Sequence, residues 1–242
     1  MRHRMRFVLA VMVGCLLFAP SVAGAAILSQ TYLDPQDLDP GLNLQGMDIQ
    51  YFSHTYDTVT GFHTFALDMY GKGVRAKTPE EAAKLSGIYK GDRPLMRARA
   101  QAGLDELRKQ PLVDPARIAA IGYCFGGTTV LELARSGADV AGVVSFHGGL
   151  GTPQPADAKN IKGKVLVLHG ADDPHVPPAE VAAFQDEMRK AAVDWQMIYY
   201  GGAVHSFTNP GSGTDASTGV AYNEKADKRS WEAMKAFFKE LF

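Results

Sequence analysis

The 242-residue chain is 46% hydrophobic, 21% charged and 10% aromatic, with 25 Gly and 13 Pro. This excludes a disordered polymer, because so apolar a chain buries enough surface to offset its ordering entropy, and the length suits one large domain or at most two. A formal net charge of −1 with no long basic run excludes nucleic acid as the main partner, and two cysteines exclude a disulfide scaffold or a thiolate zinc site.

Taken in chain order, residues 1–25 have the three-part shape of a secretory signal. Arg2, His3, Arg4 and Arg6 make a basic start, residues 7–20 are apolar, and Ala23-Gly24-Ala25 is a small-x-small cleavage pattern. The apolar run is short for a membrane span of roughly 20 residues. It also continues past Cys15 through Leu16, Leu17 and Phe18, which argues against a lipoprotein. The expected product is periplasmic or secreted, with no membrane span once the signal is cleaved. Cleavage removes Cys15 and leaves Cys124 as the only thiol. A free cysteine in an oxidising compartment is either a small buried hydrophobe or a functional group.

Residues 26–63 are irregular: Pro, Gly and Asp break every apolar run, and no helical stripe is visible. Residues 92–109 read as a helix with Leu95, Ala98, Ala102 and Leu107 on one face. Residues 117–122 form a short apolar run, read as a buried strand, and residues 126–135 read as a helix ending near Gly137. Between them stands Gly122-Tyr123-Cys124-Phe125-Gly126, the nucleophile-elbow pattern with cysteine in the serine position. The glycines permit a sharp strand-to-helix turn, and the helix N-terminus below favours a thiolate.

Residues 140–146 and 164–169 are further buried strands, and the second leads into Gly170-Ala171-Asp172-Asp173-Pro174-His175-Val176-Pro177. A carboxylate just past a strand's C-terminal end shares the elbow's rim, and Asp173 is preferred over Asp172. Residues 178–191 read as a helix and residues 195–200 as a strand, followed by a loop that carries His205. His205 completes the order nucleophile, acid, base. His147 and His169 end strands and could line the site, with a packed or satisfied role preferred for each, and His175 stands too near Asp173 to be the remote base. Residues 211–219 form a loop at the site's mouth. Residues 221–241 close the chain as a helix with Trp231, Met234, Phe237 and Phe238 as its buried stripe. Alternating strands and helices predict an α/β fold with a mostly parallel sheet flanked by helices.

These residues resemble the dienelactone hydrolase (carboxymethylenebutenolidase) family of α/β-hydrolases. The matching pieces are Phe65-Ala66-Leu67-Asp68-Met69-Tyr70, Gly122-Tyr123-Cys124-Phe125-Gly126-Gly127, the segment from Gly170 to Pro177, and His205-Ser206-Phe207. The resemblance covers the domain from about residue 64 to 242. It implies a triad of Cys124, Asp173 and His205, the Phe125 N–H as oxyanion donor, and hydrolysis of small esters or lactones without cofactor or metal.

Two departures stand out. The family's N-terminal strand, which brings a second oxyanion N–H and a glutamate, has no counterpart in residues 32–63. The segment from residue 26 to 63 is also too short for the roughly 50 residues those elements need. A sheet missing N-terminal strands is therefore expected, by remodelling or by a deletion or frame change in the gene. The arginine that holds a substrate carboxylate after His-Ser-Phe is also absent; Thr208, Asn209 and Pro210 stand there. Arg93, Arg97 and Arg99 are candidates to replace it, and helical surface charge explains them equally well. The competing readings are a catalytically impaired binding protein and a thiol redox protein, the latter opposed by the lack of a second mature cysteine.

Overall fold

Residues 118–121 alternate between two apolar layers: Ile118 and Ala120 face one, Ala119 and Ile121 the other. Such a strand is buried on both faces, as parallel strands covered by helices are. The computed structural model describes residues 5–12, 55–57, 62–71, 74–111 and 113–242, with side chains from Phe65 onward. Its strands are β1 (Met5–Met12), β2 (Thr55–Asp57), β3 (Phe62–Asp68), β4 (Val113–Tyr123), β5 (Gly142–Phe146), β6 (Lys164–Gly170) and β7 (Trp195–Tyr200). The helices are α1 (Pro79–Gly91), α2 (Arg93–Lys109), α3 (Phe125–Arg135), α4 (Pro178–Lys190) and α5 (Glu224–Leu241). One sheet of order β2-β3-β1-β4-β5-β6-β7 holds every strand among the described residues, parallel except where β2 meets β3. Met96 and Leu104 of α2, Val130 of α3 and Phe184 of α4 fill one layer. Met234, Phe237 and Phe238 of α5 fill the other. The predicted α/β architecture is the one observed.

Four expectations need correction. The sheet does not lack an inner strand, because β1 lies between β3 and β4, with Leu9 opposite both Phe65 and Ala120. An apolar run suits a strand buried on both faces as well as it suits an export signal. A polypeptide cleaved after Ala25 would lack β1, so cleavage and this seven-stranded sheet exclude each other in one molecule. The intact mass of protein from its host separates the two. Cys15, the Ala23-Gly24-Ala25 pattern and most of residues 26–63 lie outside the described residues, but Thr55–Asp57, Phe62 and His63 are strand within the segment read as irregular. On α2 the buried face is Met96, Ala100, Leu104 and Leu107, whereas Ala98 is exposed. On α5 Trp231 is exposed and only the other three predicted residues are buried.

Helix α1 is an addition to the predicted elements. Thr78 caps it, its hydroxyl accepting the Glu81 N–H at 3.2 Å, and only Ser86 and Tyr89 are buried along it.

Candidate active site

Strand β4 runs into Cys124, which takes φ 53° and ψ −119° before α3 begins at Phe125. A non-glycine residue with positive φ is strained, and here the strain lifts the thiol above the sheet's C-terminal rim. Glycine is needed at position 122 for clearance rather than for its own backbone freedom. A Cβ there would lie 2.1 Å from the Gly126 carbonyl carbon and oxygen. Gly122→Ala is therefore expected to cost stability at the upper end of the roughly 1–3 kcal/mol of an overpacked site, read by urea denaturation. The Cys124 N–H donates to the Phe146 carbonyl at 3.1 Å, which ties the elbow to β5.

The two partners predicted for the thiol meet it. Cys124 Sγ lies 2.9 Å from His205 Nε2, and His205 Nδ1 lies 2.9 Å from Asp173 Oδ2. Asp173 follows β6, and its other oxygen accepts the His175 N–H at 2.8 Å. Asp172 is turned away: its carboxylate accepts the Gly202 N–H at 2.9 Å. That contact braces the loop that carries His205. The segment expected at the site's mouth also supports this histidine from behind. The His205 N–H donates to the Gly219 carbonyl, and the Ala221 N–H donates to the His205 carbonyl.

Electrostatics favour a charge-separated pair. Burial by itself would push the Cys124 thiol up, but hydrogen bonds to His147 and His205 and electrostatic attraction to those rings hold it well below its ordinary value. Burial would lower His205, yet its bonds to Asp173 and Cys124 raise it to about 10. For Asp173 the upward push of burial is overcome by His205, and its carboxyl titrates below the usual range. Below about pH 10 the imidazolium thus keeps its proton, and the sulfur stays a thiolate far below the pKa of about 8.5 of a free cysteine. Iodoacetamide should therefore alkylate Cys124 at a nearly constant rate from neutral pH to about pH 9. A small thiol under the same conditions slows about tenfold per unit below its pKa, and the same fall for Cys124 would refute the ion pair.

Of the two roles open to His147, the structure favours lining the site over the preferred packed one. The residue follows β5 with φ 39° and is buried, but it belongs to the site rather than to the core. Its Nδ1 lies 3.3 Å from the Cys124 nitrogen, its Nε2 lies 2.8 Å from Thr208 Oγ1, and its ring meets His205 edge-on at 5.4 Å. The legible signal is its position just past a central strand beside the elbow strand. His175 borders His205 on another side, with ring centroids 5.1 Å apart. His169 packs edge-on against Tyr199 and lines a cavity of about 270 Å³ behind Asp173 that does not include Cys124.

Phe125, at the first position of α3, offers an N–H with no intrahelical acceptor. Its ring stacks on Tyr70 at 5.9 Å and meets Tyr89 at 5.9 Å, forming an aromatic wall beside the elbow. Of the three candidate cations, Arg97 pairs with Glu132 and Asp157 at 2.8 and 2.6 Å. Arg93 donates to the Gly151 carbonyl and approaches Glu132 at 4.0 Å. Both serve the interior of the protein. Arg99 lies over the Tyr89 ring and donates to the Met69 carbonyl.

Comparison with known proteins gives the chain's family. Residues 45–242 match the model of the dienelactone hydrolase family. A crystal structure of a dienelactone hydrolase-like promiscuous phosphotriesterase from metagenomic libraries is 48% identical, with TM-score 0.69, covering 75% of this chain and 76% of that one. A second solved structure, m3DLH, is 37% identical with TM-score 0.75, covering 99% of this chain and 88% of the other. The uncharacterized Caenorhabditis elegans protein K02A2.1 is 40% identical over 150 residues, 61% of this chain and 94% of that protein.

Proposed function

The chain belongs to the dienelactone hydrolase family, and we propose that it hydrolyses small carboxylic esters or lactones through an acyl-thioester on Cys124. One observation carries this reading: sulfur, imidazole and carboxylate stand in line, each 2.9 Å from the next, on a strained strand-to-helix turn.

The thiolate attacks the ester carbonyl, and the carbonyl oxygen becomes an oxyanion beside the Phe125 N–H. His205 Nε2–H passes its proton to the departing alkoxide, and the adduct collapses to the thioester. A water molecule then gives its proton to His205 and attacks the acyl carbon, releasing the acid and restoring the thiolate. Asp173 accepts the Nδ1–H throughout, fixing the ring and stabilising its cationic form. An alkoxide leaves a tetrahedral adduct more readily than an unprotonated amine, so esters and lactones are favoured over peptides.

The test is direct detection of the intermediate. Full-length protein mixed with p-nitrophenyl acetate and quenched in acid should show a burst of p-nitrophenol and an acetyl group on the peptide containing Cys124. Acetyl on another residue, or none with turnover proceeding, would overturn the mechanism. The 48% identical neighbour is a promiscuous phosphotriesterase, so a p-nitrophenyl phosphotriester belongs in the same assay.

A further inference from the structure

We propose that Cys124, His147 and His205 form a binding site for a borderline-soft divalent cation, Zn²⁺ in the first instance, whose occupancy turns the thiol off. One ligand atom from each residue lies within 4.8 Å of the other two. The cysteine count sets a thiolate zinc site aside, and this site departs from that expectation because one sulfur with two imidazoles needs no second cysteine.

The groups behind each ring also suit a metal ligand. A metal-bound histidine nearly always gives its other N–H to an oxygen, which sets the tautomer and aims the lone pair. Both histidines here already have such a partner. His205 Nδ1 is 2.9 Å from the Asp173 carboxylate, leaving Nε2 toward the sulfur. His147 Nε2 is 2.8 Å from Thr208 Oγ1, which leaves Nδ1 as the acceptor facing Cys124, 3.3 Å from a backbone N–H that the Phe146 carbonyl also binds at 3.1 Å. The two rings meet edge-on, their planes 66° apart, and do not stack.

Coordination needs the three ligand atoms, now within 4.8 Å of one another, to settle to tetrahedral spacing. Zinc–sulfur and zinc–nitrogen bonds of about 2.3 and 2.0 Å place S and N about 3.5 Å apart around a tetrahedral ion. The Sγ to His205 Nε2 distance of 2.9 Å must therefore open by about half an ångström. The ion takes the place of the proton shared by those two atoms, and that proton leaves to solvent. Three protein ligands leave the fourth position to water. With its lone pair on the metal, the sulfur no longer attacks a carbonyl, and His205 no longer shuttles a proton. The coordination stands on this geometry, whereas the inhibition it implies rests on the thiol mechanism proposed above.

The test uses the full chain, reduced and freed of metal. Cobalt(II) chloride should produce a near-ultraviolet thiolate-to-cobalt absorption in the wild type and none in Cys124→Ala. Zinc chloride should protect Cys124 from iodoacetamide and slow ester turnover, both reversed by EDTA. His147→Ala should weaken zinc protection by at least about tenfold. Thr208→Val, which leaves all three ligands in place, should weaken it by about tenfold. The second variant covers the case in which the buried His147→Ala change prevents folding. Absence of the cobalt band, or zinc protection unchanged in Thr208→Val and in any folded His147→Ala protein, would overturn the site. If the band appears but no ester is hydrolysed, the metal site stands and the proposed function falls. Esterase activity without the band removes the metal site and leaves the thiol mechanism standing.

Discussion

Cys124→Ala should reduce ester hydrolysis by roughly 10⁴-fold or more, with the circular dichroism spectrum unchanged, because no other group takes over the covalent step. His205→Ala should lose a comparable factor, since the sulfur 2.9 Å away would lose both its counter-ion and its proton carrier. The double variant should be scarcely slower than either single one, as residues that act as a unit are strongly non-additive. Cys124→Ser is also expected to be poor, because a hydroxyl does not ionise beside an imidazolium as a thiol does. Steady-state rates with p-nitrophenyl acetate decide the matter, and a Cys124→Ala enzyme within about tenfold of wild type would remove the thiol from the mechanism.

Arg135→Met should lower unfolding free energy by about 3–5 kcal/mol, the range for stripping one partner from a buried ion pair. Arg135 is fully buried at the far end of α3 from the elbow. Its guanidinium binds both Glu187 oxygens at 2.8 Å, Glu132 at 3.0 Å and the Leu150 carbonyl at 2.8 Å. Loss of the arginine leaves Glu187 with a charge in an apolar interior, while Glu132 keeps Arg97 at 2.8 Å. Arg135→Met combined with Glu187→Leu should recover part of the loss, because an apolar pair of similar volume is often neutral where a broken pair is not. Urea denaturation of the three proteins measures this, and a loss under about 1 kcal/mol for the single variant would show that water or a neighbour compensates the carboxylate. The network anchors α3 to α4, and α3 carries the strained cysteine at its N-terminus.

Much of this site can be read from local patterns. The elbow glycines, the apolar runs before Cys124 and Asp173, and the loop after 195–200 that carries His205 are signals contained within a few residues each. Helix α1 has such a signal too, Thr78-Pro79-Glu80-Glu81, in which the Thr78 hydroxyl does accept the Glu81 N–H and the Glu81 carboxylate accepts the Lys77 N–H. It is easily passed over because the helix buries little and shows no strong apolar stripe. The α2 face is misphased for a related reason: alanines and a glycine fit against a sheet or against solvent equally well, so composition does not choose between Ala98 and Ala100. Met5–Met12 shows a deeper limit. An apolar run records only that water is unfavourable for it, and a sheet interior satisfies that as fully as an export signal does.

By itself, then, the amino-acid order determined an α/β chain whose thiol, acid and base come in sequence at the ends of successive strands. Strand propensity, turn chemistry and motif spacing act over short stretches, so short stretches reveal them. Tertiary structure decided what depends on neighbours remote in the chain: β1 between β3 and β4, Arg93 and Arg97 drawn toward Glu132, and His147 beside Cys124. Those outcomes follow from which side chains parallel strands bring onto one rim, and register between strands sets that.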